Sequence, residues 1–218
     1  GKTQDLTILD KQNQAIHDTM ISGERYVLMV AWKSSSFANY VEKPQNGLAY
    51  YKSNDQLFTY PLFLTSAYDI EKWVKVNYRF DQSEAQYKTR LMQLLGLPPS
   101  STNNLFVEFW AKEEDVFRPA IDSSLNYYNM PFRLSDDYLN AFAGFSNGSF
   151  SNANIFKEYS FTGLGYTWDY NPENTTHKGV TEFVLKENRK VYMRRTMTTM
   201  DYLNTIALHQ FRHLPHGK

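Results

Sequence analysis

The chain has 218 residues, and its 23 basic and 23 acidic side chains leave a formal net charge of zero, so no overall field exists to collect nucleic acid or an anionic membrane. Cysteine is absent, which excludes disulfides, thiolate nucleophiles and every cysteine-ligated metal site. Aromatic residues make up 16% of the chain, a composition that buries a core and does not belong to a disordered segment.

In chain order, Asp5 to Ile21 is polar with apolar residues at Leu6, Leu9, Ile16 and Met20, a spacing that predicts a helix over 5–21 stopped by Gly23. Arg25 to Trp32 is too short and too apolar for a surface helix and reads as a buried strand over 26–32, closed by the Ser34, Ser35, Ser36 cluster. Its apolar core, Val27 to Trp32, is far short of the roughly 20 residues that span a bilayer, so no transmembrane segment is expected. Leu48 to Tyr51 and Leu57 to Leu64 are further strands, with Pro61 placing part of 57–64 at an edge or bulge. Asp69 to Val76 has the pattern of a short helix.

A clearer helix follows over 82–95. Asp81 and Glu84 match a capping box, Leu91, Leu94 and Leu95 form the apolar stripe, and Gly96, Pro98 and Pro99 end it. The Pro, Ser, Thr and Asn stretch at 98–104 marks where two lobes would divide, if the chain is not one domain over 2–218. Leu105 to Ala111 alternates with apolar residues on both faces and predicts a strand covered on both sides. Ser135 caps a predicted helix over 135–145. Strands are expected over 179–185 and 190–198, joined as a hairpin across Lys186, Glu187 and Asn188, and Met200 to His213 forms a last helix or strand. Irregular alternation of strands and helices predicts an α+β fold, a mostly antiparallel sheet with helices packed on it.

Four groups of residues bear on chemistry. Gly144-Phe145-Ser146-Asn147-Gly148 fits the nucleophile-elbow pattern, with Asp169 and His177 following in the matching chain order. That pattern needs a strand before the serine, whereas a helix is expected there, and no segment upstream offers oxyanion donors. His209, His213 and His216 lie close enough in sequence to share a metal, although a solvated chain end is the plainer reading. Arg118, Asp169 and Glu182 would support a glycosidase or a transferase if the fold converged them.

Most distinctive is Phe161-Thr162-Gly163-Leu164-Gly165-Tyr166-Thr167-Trp168-Asp169-Tyr170, in which Tyr166, Trp168 and Tyr170 occupy alternate positions. On a strand their rings share one face. Such a row either stacks on sugars, prolines or other rings, or fills an ordinary core layer. The chain has no complete phosphate-binding loop and no H-E-x-x-H pair, and no cofactor is expected.

The patches Leu94-Leu95-Gly96-Leu97-Pro98-Pro99, Phe106-Val107-Glu108, Glu114-Asp115-Val116-Phe117-Arg118-Pro119, Phe161 to Asp169 and Gly179 to Val184 resemble segments of a group of secreted or periplasmic proteins of Gram-negative bacteria, over residues 90–185. The resemblance implies export and a bacterial origin, and it carries no activity. The start at Gly1-Lys2-Thr3 without an initiating Met agrees with removal of an export signal. The expectation is a secreted or periplasmic binding protein that presents Arg118, Tyr166, Trp168 and Tyr170 to a glycan, peptide or protein. The alternative is an enzyme, either a Ser146 hydrolase or one using Arg118, Asp169 and Glu182.

Overall fold

The structure, a computed structural model, describes residues 6–35, 49–50, 62–120, 162–186, 189 and 191–212. The strands are β1 (Asp18–Ile21), β2 (Glu24–Lys33), β3 (Ala49–Tyr50), β4 (Leu62–Ser66), β5 (Leu105–Lys112), β6 (Val116–Phe117), β7 (Tyr166–Trp168), β8 (Lys178–Thr181), β9 (Phe183–Leu185) and β10 (Tyr192–Thr198). The helices are α1 (Ala67–Asn77), α2 (Glu84–Leu94) and α3 (Thr199–Arg212). The fold is α+β. Among the described residues every strand pairing is antiparallel, in an eight-stranded sheet ordered β3-β10-β5-β2-β4-β9-β6 with β1 also on β2, and a separate β7-β8 ribbon.

The sheet is built around β2 and β5, which pair over their whole length from Tyr26 with Lys112 to Lys33 with Leu105. Because successive side chains point to opposite faces, each strand feeds two apolar layers. Val27, Met29 and Ala31 with Val107, Phe109 and Ala111 form one layer, closed by Leu9, Ile16, Phe183 and Leu185. Val30, Trp32 and Phe106 form the other, under Ile70, Trp73 and Val74 of α1, Leu91 and Leu94 of α2 and Tyr202, Leu203 and Ile206 of α3. This double cover is what the alternation in Leu105 to Ala111 predicted.

Several expectations need correction. Residues 5–21 do not form a helix: the described part is a run of turns that ends in β1. Asp10 accepts from the Gln12 N–H at 2.8 Å and Asn13 from the Ala15 N–H at 3.2 Å, local bonds that compete with helical ones. Gly23 is not a helix stop. Ser22 and Gly23 both have positive φ, 52° and 81°, the signature of a tight type I′ turn, which closes the β1-β2 hairpin. The capping box of α2 is Ser83 with Gln86, not Asp81 with Glu84. Both registers exist in the sequence, and the later one directs Tyr87, Leu91 and Leu94 inward. At the other end Gly96, at φ 65°, allows Leu97 N–H to reach Met92 O and Gly96 N–H to reach Gln93 O, a Schellman stop.

The hairpin expected from 179–185 and 190–198 is also absent. Those residues are strands, but they fall into β8, β9 and β10, and β9 pairs with β4 and β6 while β10 pairs with β5 and β3. Sequence nearness permitted a hairpin; burial of Phe183, Val184 and Leu185 beside β4 outweighs it. Met200 onward is helical, as α3. Residues 57–61, the predicted helix at 135–145 and Ser146 lie outside the described residues. Among the described residues no helix is long and apolar enough to cross a membrane.

Candidate functional site

The alternating aromatics sit where a strand would put them. Gly165, Thr167 and Asp169 are buried, whereas Tyr166 and Trp168 are half-buried and Tyr170 is 48% exposed. The three aromatic side chains are thus the more exposed ones of this stretch, Tyr166 and Trp168 on β7, whose pairing with β8 shifts register between them, and Tyr170 just beyond its end. Two of them are propped from one face: the His177 ring stacks on Trp168 with centroids 4.6 Å apart and 12° between planes, and Lys178 Nζ lies 5.3 Å from the Tyr166 centroid. Such contacts fix ring orientation before a ligand arrives.

The inward residues explain why this ribbon holds its shape. Thr167 Oγ1 donates to Leu94 O at 2.6 Å and accepts from Val180 N–H at 3.0 Å, joining β7 to the end of α2 and to β8. Tyr170 N–H donates to Gln93 O at 3.1 Å. Close packing at this seam requires glycine at 179, since a Cβ there would clash with Thr167 Oγ1 and with the Leu94 carbonyl.

Asp169 organises the loop that follows. Its carboxylate accepts a bidentate pair from Arg90 on α2, at 2.8 and 2.6 Å, and also Asn171 N–H and Asn174 Nδ2, each at 2.9 Å. Its backbone N–H donates to His177 O at 2.8 Å, and His177 Nδ1 lies 3.0 Å from Asp169 O. His177 itself has φ of 51°, a left-handed backbone that closes the loop. Asp169 and His177 are thus neighbours, but the imidazole meets a main-chain oxygen and the carboxylate is filled by four donors. Neither is set up as the acid or base of a triad.

Arg118 is fully buried, donates from Nη2 to Thr7 O at 2.9 Å and lies over the Phe183 ring. It serves the core and presents nothing to a surface ligand. The arginine that Asp169 meets is Arg90, a residue the sequence did not single out. Glu182 sits between β8 and β9, with its N–H on Gly165 O and no hydrogen-bond partner for its carboxyl among the described residues. Burial pushes that carboxyl up to about 8, which disfavours its ionised form. Arg118, Asp169 and Glu182 therefore do not form the charged cluster that a glycosidase or transferase would need.

His209 lies exposed on α3, and His213 and His216 lie outside the described residues. Among the described residues no group of three or more His, Asp or Glu is placed to hold a metal ion. The chain matches no protein-family model, no curated protein and no solved structure.

Proposed function

We propose that this chain is a secreted or periplasmic binding protein of bacterial origin, without catalytic chemistry of its own, that takes a glycan, peptide or protein partner on the outward face of β7. One observation carries the reading: Tyr166, Trp168 and Tyr170 are the more exposed side chains while Gly165, Thr167 and Asp169 are buried. An aromatic row that merely filled the core would show the reverse. Rings held by His177 and Lys178 lose little side-chain freedom when a ligand stacks on them, which favours affinity. Sugar C–H faces and proline rings are the surfaces that suit such a row.

The enzymatic alternative has less support, because Asp169 is filled by Arg90 and its own loop and Arg118 is inside the core. The test is isothermal titration of the wild type and of Trp168→Ala with oligosaccharides and with proline-rich peptides. Saturable binding that weakens by about tenfold or more in the variant is expected. Binding of equal strength in Trp168→Ala would overturn the assignment.

A further inference from the structure

A cavity of about 550 Å³ opens on the helix-covered side of the sheet, between α1 and α3. Its lining combines apolar side chains, Ile16, Leu28, Trp110 and Ile206, with Thr205 and the ionisable Arg194, Arg195, His17, Glu71, Asp18 and His209. Its size is that of a small-molecule site.

The arginine pair is there because of a bulge. Met193 pairs with Phe109 and Arg195 pairs with Glu108, so Arg194 is an extra residue in β10. Neighbours on a regular strand point to opposite faces, and a bulge re-aims one of them. Here both guanidinium groups reach the fully buried Glu108. Arg194 Nη1 and Arg195 Nε donate to its Oε2 at 2.9 and 2.6 Å, and Arg195 Nη2 and the Tyr202 hydroxyl donate to its Oε1 at 3.1 and 2.7 Å. Four donors satisfy a carboxylate.

The pair then holds more than Glu108 can use. Glu108 takes only three of the N–H groups of Arg194 and Arg195, and the two side chains stay 42% and 29% exposed. Of the other two acids in the lining, Asp18 meets Arg25 and Glu71 meets His17, each at 2.7 Å, and Glu71 also acts electrostatically on Arg195. His209 adds a further imidazole to the lining. Partly exposed guanidinium groups beside apolar side chains select a carboxylate or phosphate, and Trp110 offers a ring to stack on.

We propose that this cavity is a second binding site, for a small molecule bearing a carboxylate or phosphate on an apolar, ring-sized body. The site stands independently of the β7 face.

The test is titration of the whole chain with inorganic phosphate, phenyl phosphate and benzoate at low ionic strength. At least one ring-bearing anion should bind saturably, and phenyl phosphate should bind more tightly than inorganic phosphate; preference for phenyl phosphate or benzoate names the anionic group. Arg194→Gln removes one bond to Glu108 and should weaken binding by about tenfold. Arg189→Gln, outside the cavity, should leave binding unchanged. Thr205→Trp, which fills the cavity from α3 and keeps both arginines, should abolish binding even if Arg194→Gln fails to fold. No binding of any of the three anions, or wild-type binding in Thr205→Trp, would overturn the proposal.

Discussion

Replacing Asp169 by Ala asks whether this carboxylate organises the β7 ribbon or performs chemistry. Its side chain is 2% exposed and that of its partner Arg90 is 21% exposed. Removing one member of a buried pair costs about 3–5 kcal/mol. Arg90 can turn partly to solvent, so the low end applies, about 3 kcal/mol, including the bonds from Asn171 and Asn174 at about 1 kcal/mol each. With a urea slope of about 2.5 kcal/mol per M for a chain of this size, the unfolding midpoint should fall by about 1 M. A double-mutant cycle with Arg90→Ala isolates the pair and should give a coupling of about 1.5 kcal/mol or more. A midpoint shift below about 0.2 M, or additive single effects, would refute the reasoning.

Three further outcomes follow from the same geometry. Gly179→Ala should destabilise by about 3 kcal/mol in urea unfolding, because the added Cβ meets backbone at the Leu94 carbonyl and cannot be relieved by a rotamer change. Burial holds the Glu182 carboxyl at about 8 in the folded state, above its ordinary 4.5; the unfolded chain therefore loses its proton first, and the wild type loses stability as pH rises between those values. Glu182→Gln should match the wild type below pH 4.5, gain on it up to about pH 8 and keep a constant lead above, as measured by urea midpoints across that range. The hydrogen bond that His17 donates to Glu71 raises His17 above its ordinary 6.5, so its contribution is complete below pH 6.5 and disappears as pH passes the higher folded value. Both partners are partly exposed, so the stability difference between wild type and His17→Gln should be under about 1 kcal/mol and confined to the acidic side.

Local rules carried much of the fold into the sequence. The Leu105 to Ala111 alternation, the apolar run after Arg25 and the stripe of α2 each state their own burial, and each became the element it described. Where two local patterns competed, tertiary contacts chose: Gly23 suits a helix stop as well as a tight turn, and only the pairing of β1 with β2 selects the turn. Strand partners were less legible than strands, because pairing β9 with β4 joins residues about 120 positions apart and no periodicity encodes that.

The candidate site divides in the same way. Period-two alternation separated the more exposed Tyr166, Trp168 and Tyr170 from the buried Gly165, Thr167 and Asp169, a pattern that strand geometry suggests. The role of Asp169 was hidden because its cation, Arg90, belongs to a helix far away in the chain. Arg118 looked like a ligand group because it follows an acidic turn, yet Val116, Phe117 and Ala120 around it are all buried. The Glu108 cluster had a signal that went unused: a carboxylate in a strand apolar on both faces demands a cation, and the adjacent Arg194 and Arg195 supply it.

The central claim is that the outward rings of β7 form a binding surface. Capture of the wild type and Trp168→Ala on one array of bacterial envelope glycans and peptides tests it most directly, with matched urea midpoints as the check on folding. The account predicts that the wild type selects one ligand class and that the variant loses it while unfolding at the same midpoint. Identical capture by both proteins would contradict it.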